Sequence, residues 1–132
     1  MARHNVSTGG PWESKIGYSR AVRVGQSISV SGPRAMTPSG IVGKGDPYAQ
    51  TIQTFKTIEA ALKQAGASLS DVVRTRIYMA DIDQWQEVGR AHGERHVRQA
   101  HLPQLHREHR IRDGAGFDGA VLVGPQARQH RR

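Results

Sequence analysis

Arg74, Arg76 and Tyr78 occupy every second position of the run Val72-Val73-Arg74-Thr75-Arg76-Ile77-Tyr78-Met79. In an extended strand that spacing sets two guanidiniums and a phenol on one face, and Val73, Thr75, Ile77 and Met79 on the other. A planar guanidinium can bind both oxygens of a carboxylate, so the polar face is equipped to hold a small anion. A metal centre has less support. His101, His106 and His109 are close in sequence, but His106-Arg107-Glu108-His109 lacks the His-Glu-x-x-His spacing that puts two imidazoles on one helical face, and no metal is expected. The chain has no cysteine, which removes thiolate nucleophiles, disulfides and Cys-ligated zinc. It has no Gly-x-x-x-x-Gly-Lys loop and no Gly-x-Ser-x-Gly elbow, so NTP hydrolysis and serine-hydrolase chemistry have no basis.

These residues need a scaffold. Tyr18 to Val24 alternates weakly and Ser27 to Ser31 strictly, with Gly25-Gln26 between them, which predicts a hairpin. Ser31-Gly32-Pro33 ends the second strand, and a loop with Pro38, Gly40, Gly43 and Gly45 follows, with a short strand at Ile41-Val42. Asp46-Pro47 predicts a helix start, because the Asp side chain accepts from orphan N–H groups and Pro at the first helical position loses no needed donor. Tyr48, Ile52, Phe55, Ile58 or Glu59, and Leu62 then form an apolar stripe, closed by Gly66. After the Arg74–Tyr78 strand, Asp81 and Asp83 can cap a second helix whose stripe is Trp85, Val88 and Ala91 or His92. Trp12 and Trp85 are read as packing residues. With a last apolar piece at Phe117 to Val123, the order describes an α+β fold, a mixed sheet with two helices on one face.

Its 132 residues suit one domain over 1–132, large enough to bury roughly two thirds of the surface exposed by the unfolded chain. The opening residues carry no apolar signal region and no long apolar run follows, so neither secretion nor membrane insertion is expected; with no cysteine, a cytoplasmic setting fits. The formal net charge of +8 raises nucleic acid as a partner. Its distribution argues the other way. Residues 1–94 hold 11 basic against 8 acidic side chains and residues 95–132 hold 8 against 3, so the excess gathers in the last segment. Aromatic residues make up 5%, offering few platforms for stacking bases, and nucleic-acid binding is not the favoured reading. From Arg95 onward no helical or strand period is sustained before Phe117. Two origins fit that Arg-, His- and Gln-rich composition: a solvated basic tail, or a reading frame displaced near Arg95 in a GC-rich gene. The intact mass of the natural protein separates the two.

Taken together, Ile16-Gly17-Tyr18-Ser19-Arg20-Ala21-Val22, Val30-Ser31-Gly32, Asp46-Pro47-Tyr48-Ala49-Gln50-Thr51, Ala65-Gly66-Ala67-Ser68-Leu69-Ser70-Asp71 and Val72 to Ile82 resemble the Rid (YjgF, endoribonuclease L-PSP) family of reactive-intermediate deaminases. The resemblance covers residues 10–94, with 95–132 atypical and basic. It implies a chorismate-mutase-like α+β fold, a homotrimer whose sheets close into a barrel, and pockets between subunits. The implied activity is cofactor-independent hydrolysis of 2-imino and 2-enamino acids to 2-keto acids and ammonia. By the same resemblance Tyr18 and Ser31 are candidate catalytic residues, and Gly32, Arg74, Arg76 and Arg98 candidate substrate-binding residues. Arg98 is the nearest match to the family's carboxylate-clamping Arg, with Gln99 where a Pro is expected; Arg107 stands at a more usual separation among unmatched neighbours. The family's water-orienting Glu falls at Gly124, which has no side chain to polarise water. Where the last segment is the authentic reading frame, weak or absent imine hydrolysis is the consequence. A trimeric module that binds small ligands without turnover, or an RNA-binding protein or endoribonuclease, are the alternatives.

Overall fold

The computed structural model describes residues 2–33, 35–95, 104–107 and 121–123. Strand β1 (Arg3–Val6) and a short helix α1 (Pro11–Ile16) precede the hairpin of β2 (Ala21–Val24) and β3 (Ser27–Val30). Two-residue strands β4 (Met36–Thr37) and β5 (Gly40–Ile41) pair in the following loop. Helix α2 (Pro47–Gln64), β6 (Val72–Met79), helix α3 (Trp85–Glu94), β7 (Gln104–Arg107) and β8 (Val121–Val123) complete the order. The main sheet runs β1-β2-β3-β8-β6-β7, and only β6 and β7 are parallel. It is the expected mixed α+β sheet, with α2 and α3 on one face. No described helix is long and apolar enough to cross a membrane.

Helix α2 begins as its sequence predicts, with the Asp46 carboxylate accepting from the Ala49 N–H at 3.0 Å. It ends in a Schellman motif: the Ala67 N–H donates to Leu62 O at 2.8 Å and the Gly66 N–H to Lys63 O at 3.1 Å. Gly66 has φ +84°, where a Cβ would be strained. The buried stripe is rotated from the predicted one. Thr51, Thr54, Phe55, Ile58, Ala61 and Leu62 face the sheet, while Tyr48 and Ile52 sit half-buried on the flank. Thr51 can enter the core because its hydroxyl donates to Pro47 O at 2.7 Å, one turn back.

Val6, Ala21, Ile28, Val30, Ile77 and Met79 form the sheet's side of this core. A bulge between Val72 and Arg74 shifts the β6 register, so Val72 is buried and Val73 only half-buried, where strict alternation predicts the reverse. Beyond it Thr75, Ile77 and Met79 point inward, and Arg74 and Arg76 are exposed on the opposite face, which neither α2 nor α3 covers. Trp85 and Trp12 are not packing residues: they are 51% and 59% exposed, because each opens a helix whose buried residues lie on another side.

Helix α3 buries Val88, Ala91 and His92. The His92 Nε2 lies 2.9 Å from the Thr75 hydroxyl of β6, and its ring meets the Phe55 ring edge-on at 5.5 Å. Burial pushes the imidazole pKa below its ordinary 6.5. A base held neutral by the fold takes up its proton more readily when unfolded, so this stabilisation is complete above pH 6.5 and is lost as pH falls from there through the lowered folded value. Urea unfolding at a series of pH values between about 5.5 and 7.5 should therefore show stability rising with pH, and His92→Phe should flatten that slope.

Candidate functional site

Glu13 organises the approach to β2. It is the third residue of α1, and its carboxylate reaches back to the Gly10 N–H at 2.7 Å, as an acidic side chain does near a helix N-terminus. The same carboxylate accepts from the Thr8 N–H at 3.4 Å, the Ser7 hydroxyl at 3.2 Å and the Arg20 N–H at 3.2 Å. Burial pushes its pKa up, but these hydrogen bonds together outweigh that and hold it below the usual carboxylate range. The chain then turns at Gly17, and the Gly17 and Tyr18 N–H groups both donate to Glu13 O, at 2.9 and 3.0 Å. One acidic residue thus fixes both the loop before α1 and the Tyr18–Arg20 segment after it.

The Ser31 N–H donates to Arg20 O at 2.9 Å, extending the β2–β3 ladder by one rung. The Ser31 hydroxyl lies 3.0 Å from Ser19 O and 3.1 Å from Arg20 O, so its proton is engaged by backbone carbonyls and its lone pairs are what it can offer a ligand. Arg20 closes the group. Its Nη1 donates to Ser31 O at 3.0 Å, and its guanidinium lies 5.8 Å from the centre of the Tyr18 ring. The Tyr18 phenol has no hydrogen-bond partner among the described residues. Gly32 follows, half-buried.

Arg76 shares the transverse row of Ser31. Thr75 and Val30 both pair with Val121, and Arg76 and Ser31 each stand one step beyond, flanking β8 on the uncovered face. Two strand spacings separate their backbones, about 10 Å. Arg74 is two rows away on the same face, in register with Leu122 and through it with Ser29. Among the candidate residues, Tyr18, Ser31 and Gly32 therefore come together, and Arg74 and Arg76 lie on the same sheet face across β8. Arg98 and Gly124 lie outside the described residues, as do His101 and His109 of the disfavoured histidine cluster. Arg107 ends β7, its backbone in register with Met79. Sequence reasoning missed Glu13 and Arg20. The signals were present: Gly10-Pro11 followed by Glu13 is a helix start with an acid at its third position, and Arg20 is two residues from Tyr18 in an extended segment.

A separate cleft of about 580 Å³ lies on the helical side, lined by Val42, Ile52, Gln53, Lys56 and Arg95 among others. At its edge the Tyr48 hydroxyl donates to Glu94, raising the phenol pKa, and Arg90 stacks 3.9 Å from the Tyr48 ring centre. None of the described candidate residues lines it. Among the described residues no group of three or more His, Cys, Asp or Glu side chains could hold a metal ion.

Residues 12–106 match the family model described as Endoribonuclease L-PSP, which takes in Tyr18, Arg20, Ser31, both long helices and all of α1 but Pro11. An uncharacterized protein of Streptomyces coelicolor is 39% identical over 93 residues, 70% of this chain and 69% of that one. The human 2-iminobutanoate/2-iminopropanoate deaminase is 36% identical over 72 residues, 54% of this chain and 53% of its own length. The crystal structure of a Mycobacterium tuberculosis member of the YjgF/YER057c/UK114 family superposes with a TM-score of 0.80 at 36% identity, covering 92% of this chain and 98% of that one. The match through the hairpin, the Ser31 rung and the sheet-helix layer leads to one assignment: this chain belongs to the endoribonuclease L-PSP family.

Proposed function

We propose that the protein binds small 2-keto and 2-imino carboxylates in clefts between the copies of a homotrimer, and that it descends from hydrolytic deaminases of 2-imino acids. The observation that carries this reading is the grouping of Tyr18, Arg20, Ser31 and Gly32 on an uncovered sheet face that also bears Arg74 and Arg76. A sheet with helices on one side only leaves its other face to water, and pairing such faces about a three-fold axis buries them. The Arg side chains supply positive charge for a carboxylate, and the uncharged Tyr18 ring and Gly32 backbone leave room for a short carbon chain.

In the deaminase reaction water adds to the C=N carbon of a 2-imino acid and the nitrogen leaves as ammonia, giving the 2-keto acid. A positioned group that accepts the proton of that water contributes about 10²–10⁴ in rate. Gly124 supplies none. The protein is therefore expected to release ammonia from freshly generated 2-aminoacrylate at close to the uncatalysed rate, while Gly124→Glu raises it by about 10². A rate for the unaltered chain far above the uncatalysed one would show that water is activated from elsewhere. Titration calorimetry with 2-oxobutanoate and sedimentation equilibrium test the rest: a monomer with no affinity for the acid discards the proposal.

A further inference from the structure

The Arg20 side chain has more hydrogen-bonding capacity than the fold uses. A guanidinium carries five N–H donors in a rigid plane. Nη1 is committed to Ser31, at 3.0 Å to the carbonyl and 3.5 Å to the hydroxyl. The Nε–H on the opposite edge is buried and meets no acceptor among the described residues. The residue is half-buried, and no carboxylate pairs with it among the described residues. Glu13 is near in sequence, but its oxygens are taken by four other donors, one of them the backbone N–H of Arg20 itself.

A buried donor without an acceptor costs about 1–3 kcal/mol, more when it belongs to a charged group, so the fold retains an unfilled edge beside Tyr18 and Ser31 at a cost to stability. The Nε and Nη2 hydrogens of that edge point in parallel, the geometry that matches the two oxygens of a carboxylate. An acceptor arriving there is shielded from water, where a charge-assisted pair is stronger than at the surface. Nη1 meanwhile anchors the group to Ser31, so little side-chain freedom is lost when a ligand docks.

We propose that Arg20 is the carboxylate-gripping residue of this protein, in the role that the family resemblance gives to an Arg after the second long helix. The inference rests on the small-carboxylate reading above and names the side chain that selects for the carboxylate. Tyr18 then shields the outer side of the ion pair, and Ser31 fixes the guanidinium plane.

The test compares the full-length protein with Arg20→Lys and Arg20→Ala in calorimetric titrations against 2-oxobutanoate and its uncharged carboxamide. Thermal unfolding establishes that each variant folds. Arg20→Lys keeps the charge and a donor for Ser31 but loses the planar fork. It is expected to bind 2-oxobutanoate at least about tenfold more weakly, and Arg20→Ala about a hundredfold, with weak binding of the carboxamide unchanged in both. That loss of preference for carboxylate over carboxamide is what a purely structural role would not produce. If the unaltered protein binds 2-oxobutanoate and both variants bind it equally well, the assignment to Arg20 is wrong while the small-carboxylate reading stands. If the unaltered protein binds neither compound, both fall. If the variants dissociate into monomers on sedimentation and lose both compounds alike, Arg20 serves an interface between copies and the inference is overturned.

Discussion

Glu13→Ala is expected to destabilise the protein by about 3 kcal/mol, a large loss for a residue outside the apolar core. The substitution removes one acceptor and strands the Gly10, Thr8 and Arg20 N–H groups and the Ser7 hydroxyl together. Hydrogen bonds to a charged group contribute about 1.5–3 kcal/mol each, and water can reach some of the stranded donors, which limits the sum. The sign of the pH effect follows from the lowered pKa. A carboxyl that ionises more readily in the folded state stabilises fully above its ordinary value of 4.5, and the stabilisation is lost as pH falls through the folded value. Urea melts of the unaltered protein and Glu13→Ala should thus lie furthest apart near neutral pH and converge under acid conditions. Equal midpoints at neutral pH would show that the loop before α1 holds itself. Because Glu13 also holds the Arg20 backbone, the variant should bind 2-oxobutanoate more weakly than its residual stability alone would suggest.

Phe55→Ala should cost about 3–5 kcal/mol. Phe55 is fully buried in the middle of α2 and belongs to the core cluster formed with Ile28, Ile58, Leu62 and Ile77. Helix and sheet are both held by neighbours, so neither can collapse into the space of a missing ring, and a void remains. The substitution also removes the ring against which His92 packs, so water gains access to the imidazole and its pKa should rise toward 6.5. Loss of stability by urea unfolding and an upward shift of the His92 titration by NMR are two independent readouts. A change under about 1 kcal/mol would mean that the α2–sheet interface repacks freely.

Element types were legible wherever a single local rule dominated. The Asp46-Pro47 start, the Gly66 stop and the Gly25 turn each depend on side chains within a few residues, and each formed as the sequence predicts. Burial faces were less legible. Tyr48 and Ile52 are more apolar than Thr51 and Thr54, yet the threonines take the core because small side chains let α2 lie close to the sheet, and Thr51 satisfies its own hydroxyl. The β6 bulge depends on β8, so Val72 to Arg74 read alone gives the wrong inward residue. Strand β1 was missed because Arg3-His4-Asn5-Val6 contains a single apolar residue; what makes it a strand is the exposed edge of β2. Strand β7 was missed for the same reason, since its period is set by pairing with β6. At the proposed site, Tyr18, Ser31 and Gly32 come from the resemblance. Arg20 carries no local signature of the role proposed for it, because an unfilled hydrogen-bonding edge is visible only once its neighbours are in place.

The strand order has a bearing on how the molecule is made. Residues 121–123 are inserted between two strands that precede them by dozens of positions. During synthesis the β2–β3 hairpin and β6 therefore emerge with facing edges that have no partner. At ordinary translation speeds the wait for β8 lasts roughly several seconds, ample time for a free edge to recruit another nascent chain on the same messenger. Premature termination before residue 121 should accordingly send this protein into insoluble aggregates, even though the core cluster described above, from Val6 to Val88, has by then been synthesised.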